Sequence, residues 1–231
     1  MSKKDSGQKV EERVEGVEHA LTSAEQFLES YQKQIVWAVG VILAAVVIYM
    51  AFQRFYVEKK TVEAAEQMFP AEQAYESEEW NLALDGDGNN PGFLEIIDDY
   101  MFTPSARLAK YYAGICYLHL GDYEEAINYL SKFSSKDVIL SNMALGGIGD
   151  AYSELGETDK AVSFYKKAAN NRKNDFTSPL YLLRAGLLLE QQQNYKEAGK
   201  LYEIIKKDYP TSTEGRNISK YITRVEIEQT K

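Results

Sequence analysis

The chain has 231 residues, of which 45% are hydrophobic and 26% charged, and its formal net charge is −9 at pH 7. This composition argues against wholesale disorder and allows one folded domain together with shorter segments. The sequence has no evident basic patch, which disfavours nucleic-acid binding because clustered Lys and Arg carry most of that affinity. The single cysteine, Cys116, cannot form an intramolecular disulfide, and its neighbours Ile115 and Tyr117 predict a buried thiol.

Residues 1–34 form an acidic tail ahead of the first apolar run. Apolar residues recur in this tail at alternating steps of three and four, which is the spacing of a heptad seam and predicts an amphipathic helix. Glutamates on the other faces favour a partner helix, or self-association, over an anionic lipid surface. The alternative is a helix that only extends the next segment into solvent. The seam residues are Val10, Val14, Val17, Leu21, Ala24, Leu28, Tyr31 and Ile35.

The next segment, from Ile35 to Phe52, is an uncharged run of 18 residues. At about 1.5 Å of rise per residue, a helix of this length spans about 27 Å, close to the hydrocarbon thickness of a bilayer. Trp37 and Tyr49 lie near its ends, where aromatic rings favour the headgroup region. We therefore predict a transmembrane anchor over residues 35–54, with a buried core helix as the alternative. A cleaved signal peptide is disfavoured because the run begins late and follows an acidic tail.

The remainder of the chain repeats itself at intervals of 35 and 37 residues, the distances between Gly114, Gly149 and Gly186. Each glycine is followed by a Tyr or Leu after three residues, by an alanine after 12, and by a Leu or Tyr after 16. Small residues allow two antiparallel helices to approach closely while the larger side chains fill the remaining space. This pattern resembles the tetratricopeptide repeat, a 34-residue unit of two helices.

The predicted fold is an all-α, tetratricopeptide-type helical solenoid preceded by one transmembrane helix. Residues 105–231 contain about three clear repeats and a capping helix from Ser212 to Ile227. Residues 58–104 are predicted to form a degenerate first repeat, because Trp80 and Ala83 reproduce the aromatic-to-alanine step of the later repeats. The second helix of this first unit is expected to be displaced by a loop insertion.

The loop insertion, DGDGNNPG, is the best candidate for a metal site. Asp85, Asp87 and Asn89 imitate the start of a calcium loop, but Asn90 stands where Gly is needed and Ile96 stands where Glu is needed. We predict a surface turn instead. No phosphate loop, zinc-ligand spacing or nucleophile motif is found, so the sequence predicts neither a cofactor nor an enzyme activity.

In a tetratricopeptide solenoid the first helix of each pair lines a concave groove, and the resemblance assigns groove residues to this chain. The inferred groove is apolar at one end and acidic farther on, which suits peptide segments with apolar anchors and basic residues. The alternative is that the degenerate first repeat covers several of these side chains. The assigned residues are Leu108, Tyr111, Ile115, Leu118 and His119, then Met143, Asp150, Ser153 and Glu154, then Leu180, Leu183, Leu187 and Glu190.

After residue 20 the chain also resembles the ancillary subunits of the bacterial SecYEG translocon. The resemblance is carried by the anchor, by residues 80–100 and 106–130, and by the ending YPTSTEGRNISKYI. It implies an inner-membrane protein with a cytoplasmic N-terminus and a periplasmic repeat domain, although the Lys and Arg beside the anchor leave the orientation open. Its implied partners are the translocon, periplasmic chaperones and exported client proteins. We therefore expect a non-enzymatic adaptor, with a scaffold subunit of an envelope or secretion complex as the alternative.

Overall fold

The computed structural model describes residues 31–34 and 36–230, and these fall into two units that divide after Tyr56. The described residues form helices, turns and a single isolated β-bridge, which confirms the predicted all-α class. The tail-seam residues Val10, Val14, Val17, Leu21 and Leu28 lie outside the described residues, so the predicted seam stays a prediction.

The first unit contains helix α1, residues 36–52, which carries the uncharged run. One helix among the described residues is long and apolar enough to cross a membrane, with a mean hydropathy of 2.6 over its most apolar window. None of that window is buried; Val36, Ile42 and Ile48, for example, are each more than 60% exposed. Exposed aliphatic side chains of this density are costly in water and suit a hydrocarbon environment.

The second unit, from Val57 onward, is built from eleven helices of the described chain, packed mainly against their neighbours in sequence. Short turns join most of them, as expected for a repeat of helix pairs. In chain order they are α2 (Glu58–Glu76), α3 (Trp80–Asp85), α4 (Phe93–Asp99), α5 (Pro104–Leu120), α6 (Tyr123–Lys132), α7 (Val138–Glu154), α8 (Thr158–Asn171), α9 (Thr177–Gln191), α10 (Tyr195–Asp208), α11 (Thr213–Asn217) and α12 (Ser219–Gln229).

Four helix pairs, α2–α3, α5–α6, α7–α8 and α9–α10, are joined by the same turn. In each, one residue adopts a positive φ and its N–H bonds back three residues, while the next N–H bonds back five. This pair of hydrogen bonds is the Schellman motif, which ends a helix with a left-handed residue. The left-handed residues are Glu78, Gly121, Gly156 and Gln193. The degenerate first unit and the Gln-containing third repeat therefore keep the turn geometry although they lack its glycine.

The loop after α3 explains why the first unit departs from the repeat. Helix α3 ends at Asp85 and is followed by Gly86, where φ is +76°. The Asp87 carboxylate accepts hydrogen bonds from the N–H groups of Asn89 and Asn90 at 2.8 and 2.7 Å. These bonds, together with a side-chain bond from Asn90, lower the pKa of Asp87 below its usual range. Asp87 thus stabilises a surface turn, and the displaced second helix follows as α4.

The predicted capping helix, Ser212–Ile227, is two helices in the structure, α11 and α12. The N–H of Ile218 bonds back to the carbonyl of Gly215 at 3.4 Å, a three-residue step that interrupts the α-helical pattern. Ile218 is fully buried in the core cluster to which α8, α9, α10 and α12 contribute, here called the third-repeat core, and this burial fixes the break inside it. The predicted cap on the last pair is therefore present, with a one-residue break at Ile218.

Candidate protein-binding surface

Close packing of the repeat helices depends on the predicted glycines. A Cβ added at Gly114, Gly149 or Gly186 would lie 2.5, 2.7 or 2.3 Å from a side chain of the paired second helix. That side chain is the Leu or Tyr found 16 residues later in each repeat. Separations below 3.0 Å cannot be accommodated by rigid neighbours, so these positions exclude any larger residue. The glycines therefore set the spacing at which α5, α7 and α9 present their other faces.

Helices α5 and α7, the first helices of the first two clear repeats, carry half-buried apolar side chains at predicted groove positions. Leu108, Ile115 and Met143 pack against the core cluster between α5 and α7, and Leu118 is also half-buried. Tyr111 differs from this expectation because it is only 5% exposed and packs against the ring of Phe133, 5.4 Å away. Burial raises its pKa well above the usual range. Tyr111 is part of the core in this conformation rather than part of an open groove.

The first helix of the third repeat, α9, also carries apolar residues on its predicted groove face. Leu180 and Leu183 are half-buried against the third-repeat core, and Leu187 is 39% exposed. Covering an exposed leucine with a partner would gain free energy, because apolar surface is removed from water. Leu187 is thus the most open apolar side chain among the predicted groove residues.

The degenerate first repeat covers only part of the predicted groove. The Trp80 indole of α3 stacks on the His119 ring, with 4.3 Å between the ring centroids and an interplanar angle of 5°. One face of the His119 ring is therefore covered. Tyr75 and Phe93 contact Tyr112, and burial raises the pKa of Tyr75 to about 12. Ile115 instead points toward α7: its Cδ1 lies 3.5 Å from the position a Cβ would take at Gly147.

The acidic groove residue Asp150 is engaged within the protein. The Tyr165 hydroxyl donates a hydrogen bond to Asp150 Oδ1 at 2.6 Å, and the Arg184 guanidinium donates to the same oxygen. Burial and the Asp150 carboxylate raise the pKa of Tyr165 above its usual range. One carboxylate thus joins α7 to its own second helix, α8, and to the first helix of the next repeat, α9.

Glu190 makes the equivalent arrangement one repeat later. The Tyr202 hydroxyl donates to Glu190 Oε1 at 2.5 Å, and Arg224 donates to both carboxylate oxygens at 2.7 Å. We call these two sets of carboxylate, tyrosine and arginine the inter-repeat clasps. In both clasps the arginine follows the carboxylate by 34 residues. The expectation of an acidic groove region is corrected accordingly: Asp150 and Glu190 are paired with cations.

Two other predicted groove residues, Ser153 and Glu154, lie at the end of α7. Glu154 is exposed, and Ser153 beside it is half-buried. Neither belongs to a clasp, so Glu154 is the one acidic residue of the predicted groove that stays exposed to solvent. The sequence interpretation overlooked Arg184 and Arg224; the signal that identifies them is an acid and an arginine separated by one repeat length, with a tyrosine at the closely packed position between them.

Family comparison agrees with this geometry. Three tetratricopeptide repeat family models match residues 93–134, 144–175 and 181–212. The first match covers α4 to α6, the second most of α7 with α8, and the third most of α9 with α10. No curated protein matches the chain. The repeats support a role in protein–protein interaction. The chain is a tetratricopeptide-repeat protein.

Proposed function

We propose that this protein is a membrane-anchored adaptor that holds protein segments beside a protein-export channel. In this proposal α1 spans the bacterial inner membrane, the repeats lie in the periplasm, and the protein has no catalytic role. Its partners are the SecYEG translocon, periplasmic chaperones or exported clients. The anchor and channel parts rest on the apolar α1 segment and on the resemblance to translocon ancillary subunits.

The observation that carries the binding role is the state of the groove side chains. Apolar residues such as Leu118 and Leu187 remain partly exposed, whereas the acidic residues Asp150 and Glu190 are neutralised by arginines. A partner would therefore be recognised mainly through apolar anchor residues. Basic residues in the partner would gain little from Asp150 or Glu190, since pairing with them would require the clasps to open.

Site-specific photo-crosslinking in cells tests the adaptor role. A photoreactive amino acid at Leu118 or Leu187 is expected to capture translocon subunits, chaperones or nascent exported chains. Ser163, exposed on the second helix of the second repeat, is the matched control. Recovery of the same proteins from all three positions would contradict a specific groove.

Cysteine accessibility tests the orientation. A Thr213→Cys substitution in a Cys116→Ala background introduces one thiol at an exposed position. We expect an impermeant maleimide to label it in spheroplasts, because the repeats are proposed to be periplasmic. A Ser2→Cys variant should be labelled only after lysis. The reverse pattern would place the repeat domain in the cytoplasm.

The scaffold alternative is favoured by the heptad-spaced tail, and deletion of residues 1–30 separates the two functions. A scaffold would lose assembly of its complex with the tail. An adaptor would keep the crosslinks from Leu118 and Leu187, since both residues belong to the unit that begins at Val57.

A further inference from the structure

We infer that the first clear repeat carries a pocket for an apolar partner segment that bears carboxylates. This inference rests on the proposed adaptor function and names the chemistry of one class of partner. It differs from the expectation drawn from the sequence, which favoured basic partner segments.

The pocket is a cavity of about 570 Å³ between the start of α5, the start of α7 and the segment that follows α6. Cavities of several hundred Å³ are large enough to enclose bulky side chains. Three half-buried apolar residues, Leu108, Phe133 and Leu140, form part of its lining. An apolar side chain placed there would cover surface that is already mostly withdrawn from water.

The charged lining of this cavity is cationic. Arg107 and Lys136 both line it and both are exposed, and no ion pair of either is found among the described residues. No Asp or Glu lies in its described lining. The acidic neighbour of Lys136, Asp137, accepts a hydrogen bond from the N–H of Leu140 at 2.8 Å and so caps α7. Two cations without an ion pair in the described part of the chain, beside an apolar surface, complement a segment with both apolar and anionic side chains.

The segment between α6 and α7 is held by one hydrogen bond within itself and one from Arg172, the residue after α8. Arg172 donates to the carbonyl of Lys136, and the Ser135 hydroxyl accepts from the N–H of Asp137 at 3.0 Å. Arg172 also lines a second cavity of about 260 Å³, which shares Phe133, Ser134 and Ser135 with the first. Arg172 therefore adds a third cation beside the same segment, in the lining of the second cavity. A lining fixed in advance lowers the entropic cost of binding.

The test uses the full-length protein in lipid nanodiscs and three fluorescein-labelled ten-residue peptides. The first alternates Glu with Leu and Phe, the second carries Lys in place of Glu, and the third carries Ser in place of Leu and Phe. By fluorescence anisotropy we expect the first peptide to bind at least about tenfold more tightly than either of the others, and less tightly at high salt. Equal binding of the Lys-containing peptide, or no binding of the first peptide, would overturn the inference.

A charge-reversed pair of variants locates the binding. The double variant Arg107→Glu, Lys136→Glu should weaken binding of the first peptide by at least about tenfold. Lys196→Glu, Lys207→Glu carries the same charge change at exposed positions of α10 and should leave binding unchanged. Equal loss in both pairs would show an unspecific charge effect and overturn the pocket. Circular dichroism checks that each variant folds, and Arg107→Gln, Lys136→Gln replaces the reversed pair if it does not.

The outcomes separate this inference from the adaptor function itself. If the Arg107 and Lys136 variants bind the first peptide normally while Leu187→Glu abolishes binding, the groove is functional and the pocket assignment is wrong. If crosslinks from Leu118 and Leu187 do not exceed those from Ser163, the adaptor function fails whatever the peptides do.

Discussion

Arg224 donates two hydrogen bonds of 2.7 Å to the carboxylate of Glu190, which lies 34 residues earlier in the chain. The Glu190 side chain is only 12% exposed, whereas that of Arg224 is 50% exposed. A planar guanidinium that holds both oxygens of a mostly buried carboxylate is a strong and directional arrangement. Glu190 therefore links the third repeat to the terminal cap and is held away from any ligand.

Arg224→Ala should lower the free energy of unfolding by about 1 kcal/mol, because it leaves a mostly buried carboxylate with one fewer partner while the arginine itself is partly in water. Denaturant unfolding of the full chain measures this. Glu226→Ala, at an exposed position of the same helix, should change stability by less than about 0.5 kcal/mol. An equal effect of the two substitutions would contradict the clasp.

Gly146→Ala should destabilise the protein by about 1–3 kcal/mol, because the new Cβ would lie 2.0 Å from the Tyr181 ring. Gly199→Ala is the matched control in α10. Its Cβ would meet nothing closer than 3.5 Å, so the gain in helix propensity should stabilise the chain by about 0.5–1 kcal/mol. Thermal unfolding shows whether each variant is less or more stable than the unsubstituted chain. Stabilisation by Gly146→Ala would refute the packing role of this glycine.

Gln193→Gly should stabilise the third repeat by about 1 kcal/mol, because Gln193 has a φ of +61° and left-handed backbone costs an L-residue about 1–2 kcal/mol. Its neighbour Gln192 has a φ of −79°, so Gln192→Gly should instead destabilise by about 0.5–1 kcal/mol. Opposite shifts in the denaturant midpoint are the expected result. Matching shifts would mean that the left-handed turn is absent in solution.

Alkaline pH should unfold the protein through its buried phenols and thiol. Burial raises the pKa of Tyr181 to about 12 from 10.0, and that of Cys116 to about 12 from 9.0. Because the folded state favours the neutral forms, their stabilisation is complete below pH about 9 and is lost as pH rises toward about 12. Tyrosinate absorbance and helical circular dichroism should change together in this range. Tyr181→Phe should make the loss of stability less steep, and an unchanged slope would contradict this origin.

The helix pairs could be predicted from the sequence because their determinants are local. Gly114, Gly149 and Gly186 mark close approaches at a nearly constant spacing, and each approach is filled by the residue 16 positions later. Cys116 is fully buried, as its apolar neighbours predicted. These features depend on residue size and polarity within one repeat, which a single sequence records directly.

The pairing of the acidic residues in the predicted groove could not be foreseen from the sequence, because their arginine partners lie outside the repeat that contains each acid. Asp150 and Glu190 look like ligands for basic peptides when the repeat that contains each is considered alone. Their arginines come from the following helices, and whether an arginine reaches back depends on how the repeats pack. The burial of Tyr111 has the same origin, since its core cluster also contains Ala144 and Ile148 of the next repeat.

The spacing of the inter-repeat clasps also restricts how this array can grow. Each carboxylate is completed by an arginine one repeat length downstream, so an added repeat inserted after Glu190 would need its own arginine at the same distance. A duplication of one whole unit that carries this arginine would preserve every clasp. An insertion of another length would leave a carboxylate without its cation, so lengthening by complete repeats is the route that keeps every clasp.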